Sequence, residues 1–123
     1  MNPLELRRVV ETALAEDLGL AGDLTTEAVV PADATAIGRV VAREPGRVAG
    51  TDVLAAVFGA LDPRVEVVVD VADGHDAVAG QVMARVSGPT RAILTGERVA
   101  LNLLGRLCGI ATATARVVDA VAG

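Results

Sequence analysis

The hydrophobic pattern of this chain changes period along its length, and the order of those periods constrains the fold more than any other feature. Leu6, Val9, Val10, Ala13, Leu14 and Leu18 recur at three- and four-residue spacing, which predicts an amphipathic helix over residues 1–19. Asn2 can cap it, Pro3 suits the first helical position and Gly19 predicts its end. Residues 35–88 read as a sheet: a strand, the Glu44-Pro45-Gly46 turn and a strand over 35–50, the β-branched run "VEVVVDV" over 65–71, then two short strands around Gly80. One buried helix is inserted at 52–61 and stopped by Asp62-Pro63. From Thr90 to Ala122 the spacing turns helical again, and the segment 90–122 is predicted as a long C-terminal helix. Helix, small mostly antiparallel sheet, helix is an α+β order. It is not the strand–helix alternation of a dinucleotide fold, and no glycine-rich phosphate loop is present.

Composition then limits chemistry. A chain of 123 residues fits one domain, residues 1–123. Hydrophobic residues make up 52% of it, yet Phe58 is the only aromatic, so the core is expected to be Val, Leu, Ile and Ala with close approach between elements. A net charge of −5 argues against nucleic-acid binding, which needs a basic face. All 11 cationic residues are Arg. Without lysine there is no Schiff base and no lipoyl or biotinyl carrier, although Asp73-Gly74 through Gly80 has the turn-and-strand rhythm of hammerhead and biotinyl-type half-barrels. A lone cysteine forms no disulfide within the chain and suits a reducing cytoplasm. No uncharged apolar run approaches about 18 residues, so no membrane span is expected.

Few residues point to a self-contained catalytic centre. His75, between Asp73 and Asp76, falls at an expected hairpin tip, where a solvated turn is favoured over a metal site. Cys108 reads as an inert core thiol in a helix, and no motif surrounds Ser87. "EDLGLAGDLTT", residues 16–26, is explained by a helix end, a turn at Gly22-Asp23 and a cap at Thr25 or Thr26. No metal ligands are assigned to this chain.

The stretch "TGERVALNLLGRLCG", residues 95–109, is different. Arg98, Asn102 and Arg106 share one helical stripe at intervals of four, beside a stripe of small residues, Gly105, Gly109 and Ala113. The residues three and four positions from Arg98 are Leu94, Thr95, Leu101 and Asn102; none is acidic. For Arg106 they are Asn102, Leu103, Gly109 and Ile110. Arg7 with Glu11 and Arg116 with Asp119 look instead like ordinary helical ion pairs. A buried unpaired guanidinium is costly, so the stripe must face water, a carboxylate or an anionic ligand. Spacing alone favours a solvated or internally paired stripe. The guanidinium fork nevertheless suits a carboxylate or phosphate.

The same stretch carries a resemblance. "EDLGLAGDLTT", "AREPGRVAG", Asp73-Gly74 with Gly80 six residues on, and above all "LTGERVALNLLGRLCGIATATA" resemble the N-terminal domain of quinolinate phosphoribosyltransferase, from about the first helix to Gly123. The resemblance implies a hammerhead-like domain followed by an open α/β barrel. It also implies a pentosyltransferase that converts quinolinate and phosphoribosyl pyrophosphate to nicotinate mononucleotide, CO₂ and pyrophosphate in NAD synthesis, with Mg²⁺. Subunits would pair as a homodimer or higher oligomer, the N-terminal domain of one covering the barrel mouth of the other. Arg98 would then hold the quinolinate carboxylate end in the partner subunit's site. The resemblance gives Arg106 no comparable target, and Asn102, Gly105, Arg106 and Gly109 are left as candidates for an interface or for structural support.

The chain stops at Gly123, where the family continues into its barrel. The expectation is therefore a truncated, cytoplasmic protein without its catalytic barrel, inactive by itself, with the Mg²⁺ ligands elsewhere and an exposed apolar patch where the barrel would dock. The alternatives are a non-catalytic dimerisation or regulatory module, and the N-terminal part of a molybdate-locus paralogue.

Overall fold

Asn2 opens the first helix, α1 (Pro3–Ala21), as its sequence suggests: its Oδ1 accepts the Glu5 amide at 2.9 Å and its carbonyl accepts that of Leu6. The computed structural model describes residues 2–21, 30–108 and 112–119. The turn and caps expected over residues 22–29 therefore lie outside the described residues, as does Gly109. Gly19 does not end α1, which runs through it to Ala21. The Arg7–Glu11 pair expected on α1 is not made.

Two layers complete the fold. Strands β1 (Thr35–Ala42), β3 (Glu66–Val69), β5 (Val82–Pro89) and β6 (Thr112–Asp119) form one sheet in the order β3-β5-β1-β6. Each neighbouring pair is antiparallel. Strands β2 (Gly46–Arg47) and β4 (Asp76–Ala77) form a separate two-stranded ribbon. Helix α2 (Asp52–Leu61) is the inserted helix, and α3 (Thr90–Cys108) carries the arginine stripe.

Strand β1 alternates as a half-buried strand should: Ala36, Val40 and Ala42 point into the core, while Thr35, Ile37 and Arg39 are exposed. Val86 and Ala84 of β5 join the inner set, and the helices cover that face with Leu54, Val57, Phe58, Ile93, Ala100 and Leu104. The run that looked most strand-like, 65–71, is the sheet's edge. Val68 and Val69 stay substantially exposed there.

A core with one aromatic ring needs close helix contact, and Gly96 provides it. A Cβ on Gly96 would fall 2.8 Å from Leu61 Cδ1 and 3.0 Å from the Phe58 ring, so a larger residue must displace one of those side chains. Between α1 and α2 lies an open groove of about 730 Å³, lined largely by Leu6, Val10, Leu14 and the small side chains Ala55, Ala56 and Ala60.

The C-terminal expectation is corrected. The helix predicted over 90–122 ends at Cys108, and residues 112–119 are a strand paired with β1 over its whole length, from Thr35↔Asp119 to Ala42↔Thr112. The segment "TATARVVD" is rich in β-branched residues, and the free side of β1 offers a row of unpaired backbone groups for it to satisfy. Ala113 is thus in a strand, not on the helical stripe of Gly105. Arg116 stands opposite Gly38, and the helical spacing that paired it with Asp119 does not exist.

Candidate functional site

Helix α3 buries Ala92, Ile93, Gly96, Val99, Ala100, Leu103 and Leu104. That is the recurrence of a helix with one face on the core. The stripe left over is Arg98, Asn102 and Arg106, all three exposed. Helix α1 runs alongside and contributes Ala13, Glu16 and Asp17. Together these line a shallow groove of about 170 Å³. The stripe read from the sequence is therefore one wall of a real groove.

The groove answers the question of partners differently for its two arginines. Arg98 Nε donates to Asp17 Oδ1 at 2.9 Å, and Nη2 lies 2.6 Å from the same oxygen. The Arg98 side chain remains 63% exposed, whereas that of Asp17 is 17% exposed. Arg106 makes no ion pair among the described residues. Asp17 escaped the sequence reading because it stands 81 positions from Arg98, while helical neighbours were sought at three and four. The signal was the acidic pair Glu16-Asp17 at the end of an apolar helix, which a helix-end reading absorbed.

Among the supporting residues, Asn102 sits in the groove between the two arginines, and Gly105 is half-buried on α3. Cys108 donates its thiol to the Leu104 carbonyl at 3.1 Å, as a helical thiol does. A second close approach involves Gly50, held at φ 75°, where a Cβ would meet Leu107 Cδ1 at 2.6 Å.

The Asp73–Asp76 turn is structural. Asp73 accepts three hydrogen bonds: from the Gly50 amide at 2.9 Å, the Thr51 amide at 3.0 Å and the Thr51 hydroxyl at 2.8 Å. It satisfies orphan donors at the start of α2 from 22 residues away, where Thr51 makes no side-chain cap itself. Partial burial disfavours the charged carboxylate, but the bonds from Thr51 and Gly50 outweigh it and hold its pKa below the ordinary value. Asp76 pairs with exposed Arg47 instead, at 3.2 Å. Among the described residues no three His, Cys, Asp or Glu side chains are grouped to hold a metal ion.

Other arginines are occupied. Arg64 lowers the pKa of Asp62 through a side-chain hydrogen bond, helped by a bond from its own amide. Arg85 forks onto Asp70 at 2.8 and 3.0 Å across the sheet. Arg91 Nε donates to the Val30 carbonyl at 2.7 Å. Of these cations, Arg98 combines a fixed side-on contact with an exposed position in a groove.

Comparison with known proteins converges on one family. The family model described as quinolinate phosphoribosyl transferase, N-terminal domain, matches residues 23–108. The carboxylating nicotinate-nucleotide pyrophosphorylase of Mycobacterium leprae is 44% identical over 121 residues, covering 95% of this chain and 42% of that protein. Quinolinate phosphoribosyltransferase (decarboxylating) 1b of Nicotiana tabacum is 35% identical over 116 residues, covering 94% and 33%. The crystal structure of NadC from Streptococcus pyogenes superposes with a TM-score of 0.77 at 31% identity, covering 85% of this chain and 38% of that one. The chain thus spans about two-fifths or less of the length of these relatives.

Proposed function

The chain belongs to the quinolinate phosphoribosyl transferase N-terminal domain family, and from that premise we propose that it serves as the N-terminal part of a carboxylating nicotinate-nucleotide pyrophosphorylase. The reaction joins quinolinate to phosphoribosyl pyrophosphate, with loss of CO₂ and pyrophosphate, for NAD synthesis. In this reading Arg98 binds a carboxylate of quinolinate, within a site completed by a second subunit, in the cytoplasm.

One observation carries the reading. Arg98 presents an exposed guanidinium in an open groove, with one edge held by Asp17 and no other hydrogen bond among the described residues. A guanidinium with a free fork binds a carboxylate bidentately. Quinolinate carries two carboxylates, so a cationic clamp is what its recognition needs. Arg106, unpaired among the described residues and on the same stripe, lowers the cost of bringing an anion to a chain of net charge −5. Mg²⁺ would neutralise the departing pyrophosphate. Among the described residues no three His, Cys, Asp or Glu side chains are grouped to hold it.

The test uses two chains. This chain is mixed with the portion of the M. leprae relative that lies outside the match, and nicotinate mononucleotide formation is measured. Activity that depends on both chains, and is lost with Arg98→Ala, is the expected result. Activity indifferent to Arg98→Ala rejects the assigned role.

A further inference from the structure

We propose that Asp17 is a positioning residue for Arg98: its carboxylate fixes the guanidinium side-on and thereby presents the Nη1/Nη2 edge, already oriented, to a carboxylate ligand in the α1–α3 groove. The proposal rests on the reading of Arg98 as a ligand-binding group and adds to it the residue that sets its geometry.

A guanidinium has two forks that can each grip a carboxylate, Nε with Nη2 and Nη1 with Nη2. Both contacts to Asp17 use the first fork and converge on one oxygen, Oδ1, at 2.9 and 2.6 Å. The second fork is left unused among the described residues. The two partners also differ in freedom. Asp17 is mostly covered and sits on the backbone of α1, while Arg98 is mostly exposed. The more covered member is the anchor and the exposed member is what it holds.

Stability does not account for the pair, because exposed ion pairs contribute little. Arg106, two turns further along the same groove, goes without one among the described residues. Binding accounts for it better. A free arginine loses rotamer freedom when it grips a ligand, and a preset one has already lost it. Glu16 and Asp17 offset Arg98 and Arg106 in formal charge, so the groove works by orientation rather than by excess positive potential.

The experiment uses the 123-residue chain with two readouts. The first is ¹⁵N relaxation of the Arg98 Nε–Hε group in the parent, Asp17→Asn and Asp17→Ala. An ordered group in the parent, largely kept by Asn and lost in Ala, is the expected pattern; equal mobility in parent and Ala variant overturns the proposal. The second is titration with quinolinate of each variant mixed with the portion of the M. leprae relative that lies outside the match, the mixture in which the proposed site is complete. Asp17→Ala is expected to weaken binding about fivefold, the cost of ordering one long side chain, with Asp17→Asn close to the parent and Arg98→Ala without binding. Binding by Asp17→Ala as tight as the parent's rejects the positioning role alone. No binding by the parent, or binding unaffected by Arg98→Ala, rejects the Arg98 reading and this proposal with it. Unshifted backbone resonances of the α2–α3 core in both Asp17 variants identify the effect as local.

Discussion

The two sides of α3 follow opposite rules. Toward α2 it is dry and tightly fitted: Ile93, Ala100 and Leu104 are almost wholly buried, and Gly96 lets Phe58 and Leu61 come close. Toward the α1 groove it is wet and loosely occupied, with three exposed polar side chains and one ion pair. The first side holds the fold together through area removed from water. The second is solvated, and an ion pair with a mostly exposed member adds little to stability. One helix can serve both purposes because its 3.6-residue period keeps them on separate faces.

Two carboxylates sharpen the same contrast. Asp73 receives three hydrogen bonds and is spent on the start of α2. Asp17 gives one oxygen to one arginine. A saturated polar group is structural; a cation gripped along one edge still has chemistry to offer.

Substitutions can break this division. Leu104→Ala on the dry side is expected to cost the most, about 2–5 kcal/mol for a buried leucine that leaves a cavity, read as a shifted midpoint in urea unfolding. Gly96→Ala should come next at about 1–3 kcal/mol, because its methyl must displace Leu61 or the Phe58 ring. Neither should alter quinolinate binding at temperatures where the variant stays folded; a selective loss of binding would show that the two sides are coupled.

Asp73→Ala is expected to cost about 1 kcal/mol, the scale of a lost helix cap. Its pH dependence gives a second check. The folded pKa of Asp73 lies below its ordinary value of 3.8, so its stabilisation is present above that value and is lost as pH falls through the folded pKa. The Tm gap between parent and variant should therefore hold near neutrality and narrow below pH 3.8. A gap that persists in acid would mean that the hydrogen bonds do not depend on the ionised carboxylate.

On the wet side, Arg98→Ala should change unfolding free energy by no more than about 1 kcal/mol while abolishing the ligand response. Arg106→Ala should shift stability least, within about 0.5 kcal/mol, with at most a modest loss of affinity. If Arg106→Ala matches Arg98→Ala in the binding assay, the groove uses both cations equally and the special place given to Arg98 is wrong.

Local patterns were legible where one residue's neighbours decide its state. The inserted helix is found at Asp52–Leu61 because its apolar spacing and the Asp62-Pro63 stop are both local. The start of α1 is equally local, since Asn2 caps the helix from the position just before it. The stripe of Arg98, Asn102 and Arg106 was visible for the same reason. The failures came where a distant partner decides. Residues 112–119 hold alanine, threonine and valine in a pattern that fits either state, and β1, far earlier in the chain, makes them a strand. The strongest strand pattern, at 65–71, lies at the exposed edge because β5 has only one side left to offer it.

By itself the sequence determined the starts of the first, inserted and last helices, the aromatic-poor core that calls for close helix contact, and the family to which the arginine motif points. Tertiary structure alone decided which carboxylate meets Arg98 and which caps α2, since Asp17 and Asp73 reach their targets across 81 and 22 residues. Side-chain spacing along a helix reports only what lies within a turn. A charge's partner is set by which helices pack together, and that depends on the whole core at once.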